Sequence, residues 1–143
     1  MAHNMLGKQI GNYRITAELA SGTFGTVYIA KHLVFDDEPV VAIKQLHTHL
    51  GSQQEQERFL QEARFLRKLK HPHILPLLDA GLYENFLFLV VEYAPNGSLR
   101  DRLSRQSSQS RRTTEALTIL SQIGQALQHA HDQAALAIFN DLK

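Results

Sequence analysis

The chain has 143 residues, 43% of them hydrophobic and 20% charged, a composition typical of one globular domain and not of a disordered or fibrous protein. Fifteen basic residues nearly balance fourteen acidic ones, so we expect neither nucleic acid nor a membrane surface as a partner. The longest apolar runs, residues 86–91 and 134–139, are far shorter than the ~20 residues of a membrane-spanning helix, and cysteine is absent. We therefore expect a cytoplasmic protein without membrane segments, disulfides or thiolate metal sites.

Three antiparallel strands are predicted in the first part of the chain. Residues 13–19 alternate, and after a glycine-containing turn Val27 and Ile29 continue the same two-residue period. A third strand, residues 40–43, follows an acidic turn that ends in Pro39. The first two strands are therefore expected to form a hairpin.

A helix and two more strands are predicted next. Ser52 and Glu55 have the spacing of a capping box, which marks a helix start. The helix ends before Pro72, because a residue that precedes proline avoids helical angles. Strands at residues 74–78 and 86–92 then complete a five-stranded antiparallel sheet with one helix, an α+β fold. The apolar stripe of the helix consists of Phe59, Ala63, Leu66 and Leu69.

The second part of the chain is predicted to be helical. Ser98 can cap a short helix to about Arg105, and the polar residues 106–112 are interpreted as a solvated connector. A long helix over residues 114–132 carries an apolar face with no evident surface to cover it. We expect residues 99–143 to be poorly ordered, or to bind a partner chain or self-associate through this helix. The face contains Leu117, Leu120, Ile123 and Leu127.

Three features point to binding of phosphate. The turn from Leu19 to Val27 contains glycines that leave backbone amides accessible, although any tight hairpin uses glycine. Lys44 ends the third strand, so its ammonium can reach the space below the turn. Glu62 lies on the apolar stripe of the helix, where an unpaired carboxylate is costly to bury and Lys44 is the obvious partner. The alternative is that Glu62 faces solvent at the edge of the stripe.

The glycine turn, the strand lysine and the helix glutamate, in this order, resemble the protein kinase family. Residues 71–74 are similar to the family's loop after that helix, and residues 89–99 to its hinge and the following helix. The resemblance covers almost the whole chain and implies a protein-kinase-like amino-terminal lobe followed by an incomplete helical carboxyl-terminal lobe. The implied segments are a tail at 1–12, the lobe at 13–93, a hinge at 94–98 and the start of the second lobe at 99–143.

The resemblance implies that this chain binds ATP. The loop from Leu19 to Val27 would cover the triphosphate, Lys44 would hold its phosphates as a positioned charge, and Glu62 would orient Lys44. The Glu92 carbonyl and the Ala94 amide would bind the adenine edge. The residues implied in ATP binding are Leu19, Ala20, Ser21, Gly22, Thr23, Phe24, Gly25, Val27, Ala42, Lys44, Val91, Glu92, Ala94 and Ser98.

Three of these residues also have an ordinary structural explanation. Val27 and Ala42 would sandwich the adenine ring, together with Leu19, and Val91 would be a small gatekeeper beside it. In any fold with this pattern, however, Val27, Ala42 and Val91 would be core residues of strands.

The sequence departs from the family at two places. Ala20 replaces the first glycine of the loop, which stiffens the turn and is expected to weaken nucleotide binding without abolishing it. The family's His-Arg-Asp-Leu-Lys catalytic loop corresponds to residues 139–143, where only the last three residues match. The resemblance implies that Asp141 accepts the proton of the substrate hydroxyl and that Lys143 neutralises charge on the phosphoryl group. A solvated chain end is the alternative for Asp141.

Together, these features imply a serine/threonine protein kinase, favoured over a tyrosine kinase by Lys143, with an unidentified protein substrate. The family also uses Mg²⁺, whose ligands we expect beyond these 143 residues, so this chain alone is expected to be catalytically incomplete. The alternative is a noncatalytic kinase-like module that binds nucleotide or a partner. We expect no metal site within the chain, because its histidine pairs lack a converging third ligand and are interpreted as solvated loop or helix residues. The pairs are His47/His49, His71/His73 and His129/His131.

Overall fold

The structure is a computed structural model that describes residues 4–23, 25–49, 51–105 and 109–141. The chain forms two compact units. The sheet unit comprises Met1–Lys68 and Pro76–Tyr93, and the helical unit comprises Leu69–Leu75 and Ala94–Lys143. Within the described ranges, no helix has both the length and the apolar character needed to cross a bilayer.

The sheet unit contains a six-stranded antiparallel sheet with the strand order β1-β2-β3-β4-β6-β5. The prediction of an antiparallel sheet with one helix is therefore confirmed, and β1 adds a sixth strand. A two-residue strand is too short to show a period, so alternation could not predict it. The strands are β1 (Gln9–Ile10), β2 (Tyr13–Ser21), β3 (Gly25–His32), β4 (Val41–His49), β5 (Leu77–Tyr83) and β6 (Phe86–Glu92).

The core of the sheet unit is built from every second residue of the strands. Ile15, Ile43 and Val90 are fully buried, as is Ile10 from the segment before the first long strand. Each fully buried side chain of this kind contributes ~1.5 to 3 kcal/mol relative to an exposed one. Met5 is buried in the same cluster. Part of the predicted tail at residues 1–12 therefore packs into the core.

The hairpin of β5 and β6 explains a boundary that differs from the prediction. Glu84 and Asn85 have positive φ angles of 49° and 67°, as both central residues of a type I′ turn require. The predicted strand at residues 74–78 instead begins at Leu77 and extends to Tyr83. Pairing with β6 holds this segment in the sheet although it contains aspartate and glycine, which are poor strand formers.

Helix α1 (Gln53–Lys68) begins where the capping pattern predicts. The Ser52 hydroxyl accepts a hydrogen bond from the Glu55 backbone N–H at 3.2 Å. Ala63 is buried on the stripe predicted to face the sheet, and the helix packs against β5. The strand order places β5 two positions away from β4, which is the strand that carries Lys44.

The helical unit contains α2 (Leu99–Ser104) and α3 (Gln109–Asp141). The long helix extends beyond the predicted 114–132 at both ends, so the connector prediction is wrong for residues 109–112, while 106–108 lie outside the described residues. Glutamine and arginine are good helix formers, and an ion pair between Arg102 and Glu115 joins the two helices. The predicted apolar face of α3 is exposed: Leu117 by 63%, Leu120 by 62%, Ile123 by 46% and Leu127 by 65%.

Candidate nucleotide-binding site

Lys44 lies in the middle of a cross-strand row of residues. It pairs with Val27 of β3 and with Leu89 of β6, and Val27 pairs in turn with Ala20 of β2. Residues directly opposite each other on antiparallel strands project from the same face of the sheet. The row therefore joins the glycine turn, through Ala20 and Val27, to the strand lysine.

A second row lies two residues further along the same face. Ala42 pairs with Ile29 of β3 and with Val91 of β6. Ala42 is buried, whereas Ile29 and Val91 are half-buried and Lys44 is exposed. This side of the sheet is thus apolar with one cation near the turn, which suits a flat apolar ring that carries an anionic group. We call it the nucleotide face, defined by Val27, Ile29, Ala42, Lys44, Leu89 and Val91.

The structure does not bring Lys44 and Glu62 together. Both side chains are exposed, and among the described residues no ion pair joins them. The expected pairing is not formed: α1 packs on β5, and the Glu62 side chain is exposed to solvent. An exposed carboxylate keeps its hydration, and an ion pair at the surface would contribute only ~0 to 1 kcal/mol. The solvent-facing alternative for Glu62 is the one that the structure shows.

The glycine turn uses its two glycines differently. The Gly22 N–H donates a hydrogen bond of 3.0 Å to the Gly25 carbonyl and closes the turn between β2 and β3. A Cβ atom on Gly25 would lie 2.5 Å from the Gln45 carbonyl oxygen, so only glycine permits this approach of β3 to β4. A Cβ atom on Gly22 would meet nothing within 4 Å. Ala20 is an exposed strand residue, and Phe24 lies outside the described residues.

A chain of side-chain hydrogen bonds behind the glycine turn was not anticipated from the sequence. The Ser21 and Thr26 hydroxyl oxygens lie 3.0 Å apart, and Thr26 Oγ1 lies 3.0 Å from His47 Nε2. His47 Nδ1 lies 3.3 Å from the Thr23 carbonyl oxygen. His47 is exposed, as predicted, but the prediction that it lies in a loop is wrong, because it belongs to β4 and bonds to β3 and the turn. The feature of the sequence that could have indicated these hydrogen bonds is the presence of polar residues on both sides of the turn.

The predicted adenine-edge residues fall in different units. Glu92 ends β6 in the sheet unit, and Ala94 begins the second segment of the helical unit. Both residues are exposed. Ser98 is the N-cap of α2, where its hydroxyl accepts a hydrogen bond of 3.1 Å from the Asp101 N–H. The helix thus uses one acceptor position of the Ser98 hydroxyl.

The predicted catalytic residues at the carboxyl terminus are only partly described. Asp141 is the last residue of α3, so its backbone is helical, and its side chain lies outside the described part. Lys143 lies outside it altogether. Their roles stay predictions.

Histidine rings also meet in the helical unit. The His71 ring centroid lies 5.4 Å from that of His73 and 5.1 Å from that of His129. Partial burial lowers the His71 pKa, and His129 and His73 lower it further because like charges repel. In the part of the chain that the structure describes, no three histidine, aspartate or glutamate side chains converge where they could hold a metal ion.

Comparisons with known proteins agree with this geometry. The family described as "Protein kinase domain" matches residues 13–143. The serine/threonine-protein kinase PrkC of Bacillus subtilis is 33% identical over 129 residues, which cover 89% of this chain and 19% of PrkC. The serine/threonine-protein kinase ppk16 of Schizosaccharomyces pombe is 33% identical over 144 residues, which cover 94% of this chain and 18% of ppk16.

A solved structure has the same fold. A double mutant of the PknI kinase domain from Mycobacterium tuberculosis superimposes with a TM-score of 0.78 at 25% identity. The match covers 93% of this chain and 52% of that one. The chain thus spans about half of a solved kinase domain and about a fifth of the relatives named above.

Proposed function

Because the chain belongs to the protein kinase family, we propose that its sheet unit binds ATP on the nucleotide face. The observation that carries this proposal is the position of Lys44, an exposed cation at the turn end of an otherwise apolar face. We further propose that the whole protein transfers the γ-phosphoryl group of ATP to serine or threonine hydroxyl groups of a protein substrate.

The adenine ring would lie against the second row of the nucleotide face. Ala42 and Val91 are directly paired and small, so they leave room for a planar ring. Val27, on the same face, and Leu19, on the neighbouring strand before the glycine turn, would extend this apolar contact with the ring; Leu19 is 49% exposed and free to pack on a ligand. The backbone carbonyl of Glu92, at the end of β6, would bind the polar edge of the ring.

The phosphates would lie toward the turn. Lys44 has no ion-pair partner among the described residues, so a phosphate oxygen can approach it without displacing a carboxylate. A cation placed where charge develops stabilises the transferring group more strongly in a site shielded from water. As the substrate hydroxyl oxygen bonds to the γ-phosphorus, the bond from that phosphorus to the β-phosphate oxygen would break and ADP would leave. The resemblance implies that the hydroxyl proton passes to the Asp141 carboxylate and that Lys143 neutralises charge. Mg²⁺ is the family's usual companion of ATP and would neutralise charge on the phosphates when bound.

A noncatalytic nucleotide-binding module is the second candidate. The specific observation in its favour is the separation of Lys44 from Glu62, with α1 packed on β5. In protein kinases this pair must be in place for phosphoryl transfer. The nucleotide face does not depend on the pair, so ATP could bind without being turned over.

Calorimetric titration of ATP and adenosine into the purified chain tests the binding proposal. Loss of a hydrogen bond to a charged group costs ~1.5 to 3 kcal/mol, so Lys44→Ala should weaken ATP binding about tenfold to a hundredfold. Adenosine has no phosphate and should bind equally well before and after the change. Lys68→Ala removes an exposed lysine from the end of α1 and is the matched control. Equal ATP affinity in Lys44→Ala and Lys68→Ala would contradict the proposal.

Phosphorylation of a generic basic protein by the full-length protein separates the two candidates. Transfer that disappears in Lys44→Ala identifies the kinase. Nucleotide binding without transfer in the full-length protein identifies the noncatalytic module. Glu62→Gln adds a further distinction, because it should reduce transfer and leave ATP affinity within about twofold if Glu62 acts only by orienting Lys44.

The exposed face of α3 is the surface through which we expect the 143-residue chain to self-associate or to bind a partner chain. Its four large apolar residues are 46% to 65% exposed and lie at helical spacing along one side. A contiguous apolar stripe of this kind is unusual on a monomer.

A further inference from the structure

The hydrogen bonds behind the glycine turn have one consistent direction when the His47 ring is neutral. A carbonyl oxygen only accepts, so the contact with Thr23 requires the hydrogen on His47 Nδ1. His47 Nε2 then accepts from the Thr26 hydroxyl. The Thr26 oxygen in turn accepts from the Ser21 hydroxyl. Each group in this series of hydrogen bonds, from the Ser21 hydroxyl to the Thr23 carbonyl, thereby has a partner.

Thr26 makes this series of hydrogen bonds costly to break. Its side chain is 7% exposed, and a buried hydroxyl without a partner destabilises a protein by more than a lost surface bond does. The His47 side chain is exposed, so burial does not fix its position. Its position follows from the bonds it makes to β3 and to the turn.

This series of hydrogen bonds lies on the side of the sheet opposite to the nucleotide face. Thr26 pairs with Gln45, whereas the next residue of β3, Val27, pairs with Lys44. Neighbouring residues of a strand project from opposite faces, so the Thr26 hydroxyl and its partner His47 lie behind Lys44. His47 therefore cannot serve as a direct ligand of a nucleotide bound on the nucleotide face.

We propose that His47 is a positioning residue for the phosphates, because it holds the tip of the glycine turn in place before a nucleotide binds. The proposal rests on the proposed function, in which this turn covers the triphosphate. The Thr23 carbonyl carries a partial negative charge that would repel a phosphate, and the bond to His47 Nδ1 holds it on the side away from Lys44. A turn that is already ordered also avoids the entropy cost of being immobilised by the ligand.

Titration of ATP and of adenosine into three variants tests this role. His47→Ala should weaken ATP binding about threefold to thirtyfold and leave adenosine binding within about twofold, because only the phosphates meet the turn. His47→Gln provides one amide donor and one carbonyl acceptor and should recover most of the lost ATP affinity. His131→Ala removes an exposed histidine from α3 and should change neither affinity.

Hydrogen exchange provides a second measurement that needs no ligand. The amides of Gly22, Thr23 and Gly25 should exchange faster in His47→Ala than in the parent chain or in His47→Gln. Thr26→Val keeps the volume of the side chain and removes the hydroxyl, so its effect should overlap with that of His47→Ala and the two should not add.

The outcomes separate this inference from the proposed function. If the parent chain binds neither ATP nor adenosine, the proposed function fails, and the exchange rates of the turn still decide whether His47 orders it. Parallel loss of ATP and adenosine affinity in His47→Ala, with a lower melting temperature, would show a merely structural role and overturn the proposal. Unchanged exchange rates and an unchanged ratio of ATP to adenosine affinity would overturn it as well.

Discussion

Gly25 approaches Gln45 so closely that a Cβ atom on residue 25 would lie 2.5 Å from the Gln45 carbonyl oxygen. Gln45 directly follows Lys44 in β4, and Gly25 begins β3 immediately after the turn. The close contact therefore sets the distance between the glycine turn and the strand that carries the lysine. The neighbouring glycine of the turn, Gly22, has no such contact.

We expect Gly25→Ala to lower the free energy of unfolding by about 1 to 3 kcal/mol, because the backbone carbonyl of Gln45 cannot move aside without disturbing β4. Gly22→Ala is the matched control, with an expected change within about 0.5 kcal/mol. Urea denaturation of the two variants and the parent chain measures both values. Equal destabilisation by the two substitutions would show that the close contact with Gln45 does not exist in solution.

The reciprocal cap of α2 makes a prediction about pH. A hydrogen bond from the Ser98 side chain, its backbone N–H and the nearby Arg105 hold the pKa of Asp101 below its ordinary 3.8. Because the folded-state pKa is depressed, the cap contributes stability above the ordinary pKa and loses it as the pH falls through the folded-state pKa. Titration of the Asp101 carboxyl by NMR should therefore give a midpoint below 3.8 in the parent chain.

Ser98→Ala should move that Asp101 midpoint upward and speed amide exchange in α2 by about fivefold at neutral pH. Ser121→Ala, in the middle of α3, is the control and should leave the Asp101 titration unchanged. An Asp101 midpoint that stays the same in Ser98→Ala would contradict the reciprocal cap.

Two adjacent residues of α3 should respond differently to the same substitution. Leu120 is 62% exposed, whereas Ile119 is half-buried. Leu120→Lys should change the free energy of unfolding by less than about 0.5 kcal/mol, and Ile119→Lys should lower it by about 1 to 3 kcal/mol. Denaturant unfolding measures this difference. Leu120→Lys should also reduce self-association, as measured by sedimentation velocity. If Leu120→Lys lowered the free energy of unfolding as much as Ile119→Lys does, Leu120 would have to be buried.

The elements that could be predicted are those whose signal is local. Alternation in β2 and β3 follows from the two-residue period of a strand with one buried face, and Ser52 and Ser98 mark helix starts because a cap needs only residues three apart. The limits of β5 were missed because they depend on pairing with β6. The two-residue β1 has no period to detect. The length of α3 was underestimated because polar residues can be helical without an apolar stripe.

The candidate site also has features that local motifs predict and features that depend on tertiary packing. The positions of Lys44 and of the glycine turn follow from the order of motifs along the chain, and so does membership of the protein kinase family. Whether Lys44 meets Glu62 depends on where α1 packs, and the structure places the helix on β5. His47 carries no recognisable motif. Its bond to Thr26 exists only because the register of β3 against β4 brings together two residues 21 positions apart.

The sequence by itself determined the family, the strand that carries the lysine and the chemical character of the nucleotide face, because each depends on residue types at short spacing. Only the tertiary structure decided which side chains meet across elements: the separation of Lys44 from Glu62, the contact of Gly25 with Gln45, and the bonds from His47 to Thr26 and Thr23. The physical reason is that these contacts depend on strand register and helix packing. Both are set by the burial of the whole core and by no single local motif.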